Sequence, residues 1–329
     1  MTNHFISIII PVYNGGETLH RCLESVFHSS YPHFECIVVD DHSTDRTIDL
    51  AESFDTKIIR LEKQGGAAHA RNRGAEAAKG NLLLFVDADV RIYPDCLDRI
   101  VKAFRDHPDV SAVFGSYDDR PGSPNFLSQY RNLFHHYIHQ TSFEDASTFW
   151  SGCGAIKREI FMEIGTFDEN CRMMEDIQLG YALRAKKYKI RLDKGLLVNH
   201  LKHYSFLSLL KADLFDRAVP WTILMLSNRQ FTNDLNFKAK HKLSGILLIL
   251  LIVSVLMAAT SVWFTWAIPV LLWMVILINY DVYVFFWKKK GLLFALKVIP
   301  LHFLYYFYST MGFFMGSCKY LWNKQLRRL

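Results

Sequence analysis

The sequence predicts an α/β domain, a mostly parallel sheet flanked by helices, followed by C-terminal transmembrane helices. Three observations lead to this class. Short apolar runs alternate with stretches of helical periodicity through residues 5–115, the pattern of parallel strands joined by right-handed crossovers. Polar and acidic clusters recur where those runs end, which is where such sheets bind ligands. Charge is divided unevenly: residues 1–242 carry 30 Lys+Arg against 31 Asp+Glu, whereas residues 243–329 carry 8 against the single acid Asp281.

Phe5–Ile10 reads as a buried strand ending at Pro11. Glu17–Phe27 places Leu19, Cys22, Leu23 and Val26 on one helical face. Cys36–Val39 is a second strand ending in Asp40-Asp41, and Asp45–Phe54 a helix with Ser43 or Asp45 as N-cap. Lys57–Leu61 is a third strand, after which Gly65-Gly66 open a helix over 67–79. Leu82–Val86 is a fourth strand that runs into Asp87. Pro94 starts a helix to about residue 106, and Ser111–Gly115 is a fifth strand. Pro11-Val12-Tyr13-Asn14, Asp40-Asp41 and Asp87-Ala88-Asp89 thus fall together at strand ends.

From Leu243 to Trp287 only Asp281 is charged. That run exceeds one span of about 20 residues and fits two, at about 243–263 and 268–287, turning near Trp263–Trp266 and Pro269. A third stretch, about 292–317, contains Lys297, Pro300 and His302 and either spans, re-enters or lies in the interface. Lys238, Lys240 and Lys242 precede the first span and Lys288–Lys290 follow the second, which places residues 1–242 on the cytoplasmic face by the positive-inside rule. A spanning third segment opposes that rule through Lys319, Lys324, Arg327 and Arg328. Two stripes have the spacing of interfacial helices, Phe206/Leu210/Leu214/Ala218/Trp221 and Phe126/Tyr130/Leu133/Phe134/Tyr137; packing on the sheet is the other reading of each. The expected organisation is an α/β domain over 1–204, linking amphipathic helices over 205–242, and a membrane region of two to three helices over 243–329.

Composition excludes other classes. A hydrophobic fraction of 50% with 21% charged residues is not that of a disordered chain, and 17 Gly, 9 Pro and 6 Cys exclude collagen-like and disulfide-dense chains. The net charge of +6 belongs to the apolar tail, so no nucleic acid partner is expected. Cysteines 22, 36, 96, 153, 171 and 318 form no CxxC pair, so reduced thiols without zinc are expected. No secretory leader is expected, because Met1–Ile10 leads straight into a strand. The first strand is followed by Pro11-Val12-Tyr13-Asn14-Gly15-Gly16 rather than a dinucleotide fingerprint, and no Gly-Lys-Ser/Thr occurs.

Asp87 and Asp89, one residue apart at a strand end, suit a hard divalent cation, Mn²⁺ or Mg²⁺, shared with a diphosphate. Together with Ile8–Asn14, Val38–Asp45, Ala70-Arg71-Asn72-Arg73-Gly74 and Met174-Glu175-Asp176-Ile177-Gln178-Leu179, the stretch Phe85–Asp89 resembles family 2 glycosyltransferases of the GT-A fold over roughly residues 5–200. The resemblance implies a catalytic 1–204 domain in which Pro11, Tyr13, Asn14, Asp40 and Asp41 line the nucleotide pocket, with Asp41 the base contact. It implies that Arg71 reaches the nucleotide or diphosphate, that Asp87 and Asp89 hold the metal, and that Asp176 is the general base of an inverting displacement. Glu175 beside it, and Gly152 and Gly154 in Trp150–Ala155, are implied contacts of acceptor or donor sugar; His200 is an implied ligand of diphosphate or metal. The implied partners are a nucleotide-sugar donor, a lipid-linked or glycan acceptor, and membrane lipids. A Gln-x-x-Arg-Trp motif, carried by the processive synthases of that family, is missing; Asn228-Arg229-Gln230 is not one, which favours transfer of a single sugar. The alternatives are a polyprenyl-phosphate glycosyltransferase and a catalytically inactive membrane adaptor of the same fold.

Overall fold

A computed structural model of the chain describes residues 4–171, 173–228 and 238–326. Arg229 and Gln230, and the terminal Arg327 and Arg328 of the orientation argument, lie outside the described residues. The chain divides into two compact units, Met1–His203 and Tyr204–Leu329.

The first unit is an eight-stranded sheet in the order β3-β2-β1-β4-β7-β6-β8-β5. In chain order its elements are β1 (Ile6–Val12), α1 (Gly16–Phe27), β2 (Phe34–Asp40), α2 (Thr47–Ala51), β3 (Lys57–Arg60), α3 (Ala67–Ala77), β4 (Leu82–Val86), β5 (Val90–Ile92), α4 (Cys96–Asp106), β6 (Val110–Tyr117), α5 (Phe126–Gln140), β7 (Cys153–Lys157), α6 (Arg158–Glu163), α7 (Glu175–Ala185) and β8 (Lys189–His200). The sheet is mixed. β1, β2, β3 and β4 pair in parallel, as do β6 and β8, while β7 runs antiparallel between β4 and β6 and β5 antiparallel to β8. One face packs on α1 and α4 through Leu19, Leu23, Leu97 and Ile100, the other on α3 and α7 through Ala70, Ala75, Leu179 and Leu183. Strands buried on both faces are near-continuous apolar runs, which is why β1 and β4 were plain in the sequence.

The second helix is shorter than expected, Thr47–Ala51. Asp45 accepts from Thr47 N–H, whereas Ser43 Oγ is turned toward Asn14 N–H. On α5, Tyr130, Leu133, Phe134 and Tyr137 are buried and Phe126 half-buried, which is the outcome of a stripe that packs rather than one left exposed.

The second unit holds α8 (Phe206–Asp213), a π turn (Leu214–Ala218), α9 (Val219–Asn228), α10 (Ala239–Met257), α11 (Val262–Ile278), α12 (Tyr280–Lys290) and α13 (Leu292–Leu326). Ser205 and Ser208 form a capping box at the start of α8. The stripe foreseen here divides: Leu214 and Trp221 are buried, Leu210 and Ala218 half-buried, and Phe206 exposed, while Leu207 and Phe215, outside the stripe, are exposed as well. α10 and α13 are long and apolar enough to cross a membrane; α11 and α12 meet at a 62° bend and are together a broken span or a re-entrant segment. The apolar turn lies between Met257 and Val262 rather than at Trp263–Trp266, and Pro269 is inside α11. The run foreseen as one helix over 268–287 breaks at Asn279. The Asn279 amide donates to Ser244 Oγ and to Val275 O, and accepts from Tyr306 O–H. The bond to Val275 O satisfies one helical carbonyl at the break, and the bonds to Ser244 and Tyr306 satisfy the buried side chain itself. Gly312 and Gly316 of α13 admit close approach of Ala218 and Thr222, since a Cβ there would come within 2.5 and 2.7 Å of their Cβ atoms.

Candidate active site

The carboxyl ends of β1, β2 and β4 frame a cavity of about 360 Å³ lined by Pro11, Tyr13, Asn14, Asp41, Arg71, Asp87 and Asp89, with Val12, Gly15, Thr18, Ala67, Ala70 and Ala88. Parallel register puts the three strand ends side by side: Val12 pairs with Asp40 and Ile9 with Phe85. The structure therefore brings together in one cavity all but Asp40 of the residues foreseen for the nucleotide.

Each wall has a local cause. Asn14 adopts φ 50°, a left-handed conformation that Asn tolerates, and its side chain accepts from Thr44 N–H at 2.9 Å. This clips the β1 loop to the β2 loop. Asp40 is buried and accepts from Ser43 N–H at 2.9 Å, so it shapes that turn from behind the cavity. Both oxygens of buried Asp41 accept from the Gly65 and Gly66 N–H groups, at 2.6 and 2.8 Å. Those bonds hold the start of α3 against the site. Tyr13 is 46% exposed, a ring free to face a base.

Arg71, four residues into α3, is almost wholly buried. It donates to Asp87 Oδ1 at 2.7 Å and to Glu175 Oε1 at 2.5 Å, with its guanidinium 5.6 Å from the Phe167 ring centre. Burial alone would lower its pKa, but Asp87, Glu175 and Asp176 outweigh burial and raise it. It is a permanent cation between the strand-end acids and α7.

Asp176 reaches the same region through β7. Antiparallel pairing sets Val86 opposite Cys153, so Gly152 O accepts from Asp87 N–H while Ser151 N–H, one residue earlier, donates to Asp176 Oδ2 at 3.2 Å. In the first turn of α7, Asp176 Oδ1 also accepts from Ile177 N–H at 2.8 Å. Burial, reinforced by Glu175, pushes its carboxyl up to about 7, with Arg71 pulling the other way. A carboxyl poised there is able to accept a proton at neutral pH. Gly152 and Gly154 have packing reasons to be glycine. A Cβ on Gly152 would lie 2.4 Å from the Trp150 ring, and one on Gly154, inside β7, 2.3 Å from Trp150 O.

β5 pairs Val90 with His200, which puts His200 Nε2 3.5 Å from Asp89 Oδ2. Burial pushes the Asp89 carboxyl up, but His200 and Lys202 hold it below the usual carboxylate value. His200 Nδ1 lies 2.5 Å from Asn132 Oδ1 and its ring stacks on Tyr117 at 4.2 Å. With Nδ1 against the Asn132 oxygen, the ring presents Nε2 to Asp89, which places an imidazole nitrogen beside the carboxylate that would share a cation. Asp87 and Asp89 offer hard oxygen ligands in the cavity wall. Among the described residues no three His, Cys, Asp or Glu side chains assemble a metal cage. The donor set fits a cation whose remaining positions are filled by phosphate oxygens and water.

Sequence reasoning missed Ser151, which orients Asp176, and the ring cluster Tyr117/His135/Trp150, whose centroids lie 4.5–5.3 Å apart. Ser151 sits inside the Trp150–Ala155 motif, but its aim depends on β7 running antiparallel. Asn72, in the Ala70–Gly74 motif, grips Phe167 through both backbone groups at 2.8 and 3.0 Å.

Residues 7–165 match the family described as glycosyl transferase family 2. An uncharacterized glycosyltransferase of Haemophilus influenzae is 30% identical over 183 residues, 52% of this chain and 59% of that protein. The glycosyltransferase GlyG of Streptococcus pneumoniae is 31% identical over 120 residues, 35% of this chain and 40% of its own length. The matched segments thus span about half the length of these curated relatives. Among solved structures, the mannosyltransferase PcManGT from Pyrobaculum calidifontis, in complex with GDP-Man and Mn²⁺, superposes with a TM-score of 0.59 at 19% identity, covering 98% of this chain and 89% of that one. That likeness establishes a shared GT-A fold.

Proposed function

The α/β unit carries a glycosyl transferase family 2 domain over residues 7–165, and on that premise we propose that the chain is a membrane-anchored inverting enzyme moving one sugar from a nucleotide-diphospho-sugar to an acceptor hydroxyl on a lipid-linked or cell-envelope glycan. The observation that carries this reading is the link from Asp87 through Gly152 and Ser151 to Asp176, which sets a carboxyl of pKa about 7 beside the strand-end cavity.

The nucleotide lies against Pro11, Tyr13 and Asn14, with Asp41 presented by Gly65 and Gly66. Arg71 faces the diphosphate end of the cavity. Asp176 removes the acceptor hydroxyl proton as that oxygen attacks the anomeric carbon from the side away from the diphosphate, so one displacement inverts the centre. Ser151 N–H holds the carboxylate in aim. Mn²⁺ or Mg²⁺ held by Asp87 and Asp89, with His200 behind Asp89, would neutralise charge on the leaving diphosphate. α10 and α13 anchor the chain in the bilayer, and the lysines at 238, 240, 242 and 288–290 favour a cytoplasmic catalytic unit. Exposed Phe206, Leu207 and Phe215 suit the interface, where a lipid-borne acceptor would arrive.

The test is release of nucleoside diphosphate by the detergent-purified full chain with UDP-, GDP- and dTDP-sugars, each with and without a membrane lipid extract. Release from one donor that rises with lipid is expected. Nucleotide-sugar binding without release from any donor would shift the assignment to an inactive adaptor.

A further inference from the structure

A second cavity, of about 680 Å³, lies within the α/β unit and takes no part in the chemistry above. Its walls are α1 (Arg21, His28), the end of β5 (Arg91, Tyr93), Arg120 after β6, and Asn199 of β8. It adjoins the donor cavity: Thr18 and Arg21 are one helical turn apart on α1, and Asp89 and Arg91 two residues apart in the chain.

The charge of this cavity is unbalanced. Elsewhere in the unit Arg60, Arg71, Arg73, Arg99, Arg184 and Arg191 each face a carboxylate within 2.8 Å. Arg21, Arg91 and Arg120 form no ion pair among the described residues, yet they converge here. Glu24, the one acid in the lining, is exposed and lies 3.8 Å from His20. The nearby carboxylate, Asp118, is buried and committed to the scaffold. It accepts from Tyr93 O–H at 2.7 Å, from Asn199 Nδ2 at 3.1 Å and from Arg120 N–H at 3.0 Å. One buried acid thus fixes three wall segments while three guanidinium groups are left for an outside anion. Three like charges held together without a counter-ion repel one another, and an anion relieves that repulsion. Planar guanidinium forks favour oxyanions that accept two hydrogen bonds side by side, and a doubly charged phosphate can be shared among three of them. β8 is also the strand from which the chain continues into Tyr204 and the apolar helices.

We propose that the Arg21/Arg91/Arg120 cavity is a binding site for a phosphate-class anion, separate from the donor site. The source is a phospholipid headgroup or free phosphate. The test titrates the full chain in detergent with monomeric dihexanoyl-phosphatidylglycerol and with inorganic phosphate, using dihexanoyl-phosphatidylcholine as the neutral control. Binding is followed by calorimetry in the wild type and in R21A/R91A/R120A. Saturable anion binding that weakens about tenfold for each arginine removed is expected. Loss of the lipid probe alone assigns the site to a headgroup; loss of both probes assigns it to phosphate in general. Equal affinities of wild type and triple variant for both probes overturn the proposal, as does phosphatidylcholine binding as tightly as phosphatidylglycerol. An unchanged melting temperature of the probe-free triple variant, expected because Arg91 and Arg120 are exposed, keeps misfolding apart from loss of the site.

Discussion

Asp176→Asn separates the chemistry of the proposed base from its effect on stability. Burial pushes the Asp176 carboxyl from 3.8 to about 7. The folded chain therefore holds this proton more tightly than the unfolded chain. Its stabilising contribution is full below pH 3.8 and is lost as the pH rises through about 7. At 1.36 kcal/mol per unit the span amounts to about 4 kcal/mol. An asparagine keeps one acceptor oxygen, so it serves Ser151 N–H or Ile177 N–H but not both, and it has no charge to desolvate. Measured against the wild type, the variant's melting temperature should be lowest near pH 4, where one lost hydrogen bond tells against it, and should rise steadily toward pH 8, by about 2–4 °C for each kcal/mol in a unit of this size. Turnover should move oppositely. Wild-type nucleoside diphosphate release should fall about tenfold per pH unit below 7 and level off above it, and Asp176→Asn should lose about 10²–10⁴-fold. Thermal melts at pH 4, 6 and 8 and release rates from pH 5 to 9 measure both. A stability difference that ignores pH, or wild-type turnover flat from pH 5 to 8, would refute the reasoning. Turnover within tenfold of wild type in the variant would point to an acceptor that is already an anion.

Arg71→Gln removes the cation that opposes the rise of Asp176, so the midpoint of the pH–rate profile should move to higher pH; a fixed midpoint would dissociate the two residues. Chelation by EDTA and Asp89→Ala should each abolish release, with Mn²⁺ or Mg²⁺ restoring only the chelated wild type. Full activity under both treatments would remove the metal from the proposal. Gly154→Ala must fit a Cβ 2.3 Å from Trp150 O in the sheet centre, and overpacking of this kind costs about 1–3 kcal/mol. A melting temperature equal to wild type would show that β7 yields more readily than its pairing with β4 and β6 implies.

Much of the first unit could be read from residue order because its early strands are buried on both faces. Runs such as Ile6–Ile10 and Leu82–Val86 have no other stable use, and the polar residues that follow them must sit at strand ends. The split of charge at residue 242 and the apolar content beyond it were likewise enough to foresee membrane-length helices. Other features depended on partners distant in the chain. β7 and β8 pair with strands far from them in sequence, so the meeting of Ser151 with Asp176, and of His200 with Asp89, is a matter of register and direction that no local pattern encodes. The α5 stripe had the same periodicity as an interfacial helix, and only its burial distinguishes the two. Asn279 lay unnoticed in an apolar run because its effect comes from Ser244 and Tyr306, on two other helices. Periodicity reports which face of an element is apolar; what that face meets is decided when the elements pack.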